Sequence, residues 1–177
     1  LIRERFEGRA VAVCANLPYY ITSPILMRLL ESRLPVTGIT VMVQKEAAIR
    51  LCARPGTREC GAVSLAVQYY AEAETLFSVS RGSFLPAPNV DSAVIRLTVR
   101  KTPPCAVRNE ALLFRLIRSA FGQRRKTLPN ALVTAGCSKA AVQAAMRAVS
   151  IPETARAEEL TLPQFAALAD ALDGPAA

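Results

Sequence analysis

Asn16-Leu17-Pro18-Tyr19 brings an amide, a fixed turn and an aromatic ring together within four residues. It directly follows the mostly apolar residues 8–15 (GRAVAVCA), which read as a fully buried strand. Open α/β sheets bind ligands outside the carboxyl ends of their strands, so the tetrapeptide stands where chemistry would be placed. The chemistry it suits is transfer of a methyl group from a sulfonium to an exocyclic aromatic amine. The lone pair of such a nitrogen is delocalised into the ring and is badly directed for attack. The Asn16 side-chain oxygen and a nearby main-chain carbonyl can accept its two N–H bonds and draw it toward tetrahedral geometry. Pro18 holds that carbonyl in a fixed turn and removes a backbone donor the site does not need. Tyr19 offers its face to a base, a stacking contact worth about 1–3 kcal/mol, which offsets part of the cost of unstacking the target. The attacking nitrogen becomes acidic only once alkylated, so no strong base is required. The same four residues read equally well as a strand-to-helix turn that happens to contain Asn and Pro.

The chain has no histidine, which removes the commonest general base and metal ligand and, with them, Ser-His-Asp, Cys-His and His-rich zinc chemistry. Five cysteines stand at 14, 52, 60, 105 and 137, with no C-x2-C spacing among them. They read as reduced thiols, several of them buried, as in Val13-Cys14-Ala15. No metal site is expected.

Positive charge is concentrated. Residues 100–130 carry eight basic groups (Arg100, Lys101, Arg108, Arg115, Arg118, Arg124, Arg125, Lys126) against the single acid Glu110, a net +7 of the chain's +8. A solvated face usually mixes both signs, so such a segment reads as a polyanion-binding surface. No apolar run approaches the roughly 18–20 residues that span a bilayer, and the first residues are charged rather than a signal-peptide core. A soluble, cytoplasmic protein is expected.

The elements that must position these groups follow from the patterning. Short apolar runs alternating with helical periods indicate an α/β layer structure in the first part. A helix over residues 24–32 is opened by Ser23 as N-cap with Pro24 in first position, burying Ile25, Leu26, Leu29 and Leu30. Residues 38–44 form a strand, 45–53 a helix, and Arg54-Pro55-Gly56 a turn. Residues 63–70 are helical, and 75–80 and 91–99 are strands around the proline-bearing loop 82–89. Pro103-Pro104 marks a domain boundary. Beyond it the periods of residues 109–121, 138–149 and a helix capped by Thr161 indicate a small all-α domain of short helices.

Several segments, in order along the chain, carry a resemblance. They are residues 16–25 (NLPYYITSPI), Val43-Gln44-Lys45-Glu46 with Val67-Gln68-Tyr69-Tyr70, residues 84–94 (FLPAPNVDSAV), and residues 121–128 (FGQRRKTL). Together they resemble the small-subunit (16S) ribosomal RNA adenine N6,N6-dimethyltransferases, or dimethyladenosine transferases. The resemblance implies a Rossmann-like class I methyltransferase sheet whose last strand pair is antiparallel, followed by the helical domain. The division would be 1–101 and 102–177. It implies S-adenosyl-L-methionine as methyl donor and dimethylation of two adjacent adenosines near the 3′ end of small-subunit ribosomal RNA, in an immature subunit, by a monomer. On these residues it would place Asn16, Leu17, Pro18 and Tyr19 around the target amine, Asn16 also near the donor, and Phe84 across the base from Tyr19. Arg115, Arg118, Gln123, Arg124, Arg125 and Lys126 would face RNA, with phosphate contacts supplying salt-dependent affinity.

The family pattern also has a glycine-rich turn and an acidic residue that hold the donor. The eight glycines, at 8, 38, 56, 61, 82, 122, 136 and 174, include no G-x-G. The expectation is therefore a fragment lacking the N-terminal part, inactive alone and without measurable donor affinity by calorimetry. Two alternatives stand beside this reading: a large-subunit RNA adenine N6-methyltransferase of the antibiotic-resistance type, and a non-catalytic nucleic-acid-binding protein on the same scaffold.

Overall fold

The computed structural model describes Phe6, residues 9–32 and residues 34–174. The chain divides into two compact units, Leu1–Ala53 with Ala66–Pro103, and Arg54–Leu65 with Pro104–Ala177. The division near Pro103 follows from the missing donors and fixed φ of consecutive prolines. The grouping of 54–65 with the C-terminal residues has no counterpart in the sequence pattern.

In the first unit a four-stranded sheet has the order β1-β2-β4-β3, formed by β1 (Val11–Asn16), β2 (Val36–Gln44), β3 (Ala71–Val79) and β4 (Ser92–Val99). β1 and β2 are parallel, and β4 runs antiparallel between β2 and β3. The last strand pair is thus antiparallel, as expected. β4 follows the loop after β3 and inserts between two parallel strands, so every strand end that carries a candidate residue comes to one edge of the sheet.

The two central strands hold the core. Ile39, Val41 and Val43 lie opposite Leu97, Ile95 and Ala93 in register, and all six are essentially inaccessible. The period-2 alternation of branched residues puts them on one face, each worth roughly 1.5–3 kcal/mol where a large side chain is fully buried. Helix α1 (Thr22–Glu31) buries Thr22, Leu26 and Leu30. Helix α2 (Lys45–Leu51) packs on β2, β3 and β4 and buries Ala47, Ala48 and Leu51. Helix α3 (Ala62–Tyr70) runs into β3 without a linker.

Three expectations are corrected. β1 is not fully buried but alternates half-buried and exposed residues, and among the described residues it pairs with β2 on one side only. Cys14 is consequently exposed rather than buried; Gly8, the expected start of this strand, lies outside the described residues. The N-cap of α1 is Ile21, with no side-chain cap, and Ser23 and Pro24 fall within the first turn. A preceding 3-10 turn, Tyr19–Ile21, already winds the chain, and the first-turn N–H groups have no helical acceptor, so Pro24 is tolerated there. Ile25 and Leu29 are then only partly covered.

β3 begins at Ala71 rather than at residue 75. Its first residues include Glu72 and Glu74, which pair with cations of the neighbouring segment: Arg100 to Glu72 at 2.9 Å and Arg96 to Glu74 at 2.6 Å. These pairs are largely exposed and contribute about 0–1 kcal/mol each. They mark an edge strand protected by charge.

The second unit contains α4 (Glu110–Gly122), α5 (Leu128–Ala131), α6 (Lys139–Ala148) and α7 (Leu162–Leu172). Asn109 caps α4 by accepting the Leu112 N–H at 3.0 Å, and Ser138 caps α6 by accepting that of Ala141. Thr161 and Gln164 form a reciprocal capping box on α7. Leu113, Leu116, Ile117, Leu132, Met146 and Phe165 form the centre of this unit. Gly56, at φ +83°, makes the turn after Pro55, and its N–H donates to the Glu158 carbonyl at 2.9 Å. Among the described residues no helix is long and apolar enough to cross a membrane.

Candidate active site

Asn16 ends β1, which pairs with β2 through Met42. Leu17 continues this link, its N–H donating to the Met42 carbonyl at 3.1 Å, and its side chain is buried. The burial of Leu17 fixes the chain direction as it leaves the sheet. Asn16 itself is exposed, and among the described residues its amide has no hydrogen-bond partner.

Pro18, at φ −58° and ψ 129°, leads into the 3-10 turn. Its carbonyl accepts the Ile21 N–H at 3.2 Å and the hydroxyl of the buried Thr22 at 3.2 Å. Tyr19 is half-buried, and its hydroxyl lies 2.7 Å from the Oγ of Ser92. Ser92 is fully buried at the start of β4, between Gln44 and Val79 in the ladder. One end of the ring is therefore tied to the middle of the sheet.

The loop between β3 and β4 forms the other wall. Ser80 opens its 3-10 turn by accepting the Gly82 N–H at 3.2 Å. Asp91 closes the loop: its carboxylate accepts the Arg81 N–H and its carbonyl accepts the Lys45 N–H, both at 3.0 Å. Between these anchors Phe84, Pro86 and Pro88 face an open cleft of ≈ 340 Å³ together with Asn16, Leu17, Pro18 and Tyr19. Leu85, between two cleft-lining residues, is fully exposed. Two segments far apart in sequence thus meet at the carboxyl end of β1. The cleft offers two aromatic rings, an unpartnered amide and no cation.

Sequence reasoning missed Ser92 and Thr22. Ser92 lies in a quoted motif but received no role, because a serine at the start of a strand has no pattern that predicts a partner across the sheet.

The basic residues divide into two sets. Arg100 is held by Glu72 and by the Gln68 carbonyl. Arg108 is held by Asp170 and the Gly174 carbonyl. Arg124 donates to the Arg58 carbonyl at 2.7 Å, lies 4.0 Å from the Glu158 carboxylate and sits 5.9 Å over the Phe121 ring. Gln123 is the C-cap of α4, and its carbonyl accepts the Lys126 N–H at 2.8 Å. Arg115 and Arg118 lie on the exposed face of α4, and Arg125 and Lys126 are exposed beyond its end. Among the described residues these last four cations form no ion pair. Beside Arg124 lies the buried Cys60, whose thiol is pushed above its ordinary pKa, chiefly by burial; it stays protonated and is no nucleophile.

The family model described as ribosomal RNA adenine dimethylase matches residues 4–173. A ribosomal RNA small subunit methyltransferase A of Geobacillus sp. (strain WCH70) is 49% identical over 177 residues, covering 97% of this chain and 61% of that protein. Its namesake from Lachnoclostridium phytofermentans is 49% identical over 176 residues, covering 98% of this chain and 61% of that protein. The chain therefore spans about three-fifths of the length of these relatives. Among solved structures, a dimethyladenosine transferase from Plasmodium falciparum superposes with a TM-score of 0.75 at 23% identity, over 92% of this chain and 70% of that one. A 23S rRNA methyltransferase, ErmE, superposes with a TM-score of 0.64 at 24% identity, over 92% of this chain and 65% of that one. Both share the Rossmann-like fold.

Proposed function

The chain belongs to the ribosomal RNA adenine dimethylase family, and from that premise we propose that the full-length gene product dimethylates adenosines of small-subunit ribosomal RNA at N6. Its targets are two adjacent adenosines near the 3′ end, its methyl donor is S-adenosyl-L-methionine, and its place is ribosome biogenesis. The observation that carries this reading is the cleft at the end of β1, where Asn16 and Tyr19 meet Phe84.

In this reading the target adenine leaves its stack and lies between Tyr19 and Phe84. The Asn16 side-chain oxygen accepts one N6–H. The Pro18 carbonyl is already engaged by Ile21 and Thr22, so we assign the second N6–H to the Leu17 carbonyl. With both hydrogens held, the nitrogen lone pair is directed out of the ring plane. The donor supplies an electrophilic methyl group, and of the donor's contacts this chain contributes Asn16. Proton loss follows alkylation and needs no strong base. The residues of the first unit thus bind and orient, while Arg115, Arg118, Arg125 and Lys126 of the second supply phosphate contacts.

The test is methylation of isolated small-subunit and large-subunit RNA by the full-length gene product, with dimethyladenosine identified after digestion. Modification of small-subunit RNA is expected. Modification of large-subunit RNA alone assigns the antibiotic-resistance activity instead, and modification of neither assigns a binding role.

The basic set carries its own prediction. Substituting Arg125 and Lys126 with Ala weakens RNA binding and lowers the salt slope by about one per lost phosphate contact. Arg124→Ala behaves differently: its guanidinium holds Arg58 and Glu158, so thermal stability falls. Titrations across salt concentrations, paired with melting curves, separate the two; an unchanged slope for the Arg125/Lys126 variant counts against this surface.

A further inference from the structure

A second, larger cleft is lined in part by the same Asp91-anchored loop, and the reading above gives it no role. It has a volume of ≈ 520 Å³ and opens at the end of β2, the strand next to β1. Gln44, the last residue of β2, and Asn89, from the loop, line it with two amides. Gln44 makes no side-chain cap to α2, and among the described residues neither amide has a hydrogen-bond partner. Ile49 and Val90 line the same cleft and are 47% and 43% exposed. Lys45 and Arg81 stand at it, and neither forms an ion pair among the described residues.

These groups match the parts of one nucleotide. Unpartnered amides suit the edge of an adenine, where Asn and Gln bond two neighbouring positions at once. Apolar side chains suit the face of an unstacked base. Two cations suit the phosphate on either side. The two acids at the cleft do not cancel this match: Asp91 already holds the Arg81 N–H, and Glu46 can accept from an exocyclic amine. Pro88 and Asn89, consecutive in this loop, line one cleft each, so the two clefts adjoin along the same short stretch of chain.

We propose that the cleft at the end of β2 is a subsite for the second of the two adjacent adenosines, held there while the first is methylated. Gln44 and Asn89 read its base, Ile49 and Val90 contact its face, and Lys45 and Arg81 hold its phosphate. The subsite makes adjacency of the two adenosines a condition for tight binding. The inference rests on the function proposed above.

The experiment uses the full-length gene product and RNA substrates in which the neighbouring nucleotide, on the 5′ or the 3′ side of the target, is adenosine or abasic. Gln44→Ala/Asn89→Ala is expected to raise KM for intact RNA about tenfold with kcat little changed. An abasic neighbour on one side is expected to do the same to the unaltered enzyme. Combining the two should add nothing further, because the amides then have no base to read. Melting curves of the variant verify folding; if they shift, Asn89→Ala alone, in the loop, replaces it. No KM change from either alteration overturns the subsite, and so do two effects that multiply. Failure of the unaltered enzyme to methylate intact RNA overturns the parent reading instead.

Discussion

Asn16→Ala in the full-length gene product is expected to lower the rate of RNA methylation by about 10²–10³-fold, the loss typical when one preorganised hydrogen bond to the reacting group is removed. RNA affinity should stay near that of the unaltered protein, because the amide contacts one nitrogen in a large interface. The prediction follows from where the side chain stands. It is exposed at the end of β1, lines the cleft and has no partner among the described residues. Its oxygen is therefore available to a ligand, and its loss strands no buried group and costs the fold little. Asn16→Asp keeps an acceptor at the same place, so it should retain more activity than Asn16→Ala. Single-turnover rates with matched binding measurements decide the matter. An Ala variant within threefold of the unaltered rate removes the amide from the chemistry, and an Asp variant as slow as Ala shows that acceptance of the N–H is not its role.

Tyr19→Ala and Phe84→Ala should each weaken productive binding of the target by about 5- to 150-fold, the range that corresponds to about 1–3 kcal/mol per stacked base. The losses should appear in kcat/KM more than in total RNA affinity, which the phosphate contacts dominate. Tyr19 adds a finer test. Tyr19→Phe keeps the ring face but removes the 2.7 Å contact to Ser92, and Ser92→Ala removes it from the other side. Ser92→Ala leaves a part-buried phenol without its partner, a loss of about 1–3 kcal/mol in ring placement, whereas removing both hydroxyls is closer to neutral. The double variant should thus be no worse than Ser92→Ala alone. Independent, additive losses in kcat/KM mean that the hydroxyl pair does not position the ring.

How far the site could be read from sequence depends on the range of the interaction. The cap at Thr161 acts within three residues, and the structure has it where the pattern puts it. Strands β2 and β4 carry runs of branched residues that only a buried sheet face explains. Ser23 was misleading because it carries the chemistry of a cap, but the 3-10 turn at Tyr19–Ile21 begins the winding before it. The early residues of β3 were unreadable for another reason. Glu72 and Glu74 are poor strand formers until register places Arg96 and Arg100 beside them. Arg124, Arg125 and Lys126 form one cationic run in the sequence, yet only Arg124 is held by Arg58 and Glu158, a distinction made by segment 54–65 returning to the helical unit.

The loop between Ser80 and Asp91 presents every second side chain, Phe84, Pro86 and Pro88, to one cleft while Leu85 points to solvent. The segment is tied at both ends, by the Gly82 N–H on Ser80 and by the Arg81 and Lys45 N–H groups on Asp91. An added or lost residue would have to be absorbed between those ties, in the stretch that carries Phe84, whereas a substitution at the outward Leu85 leaves the cleft lining untouched.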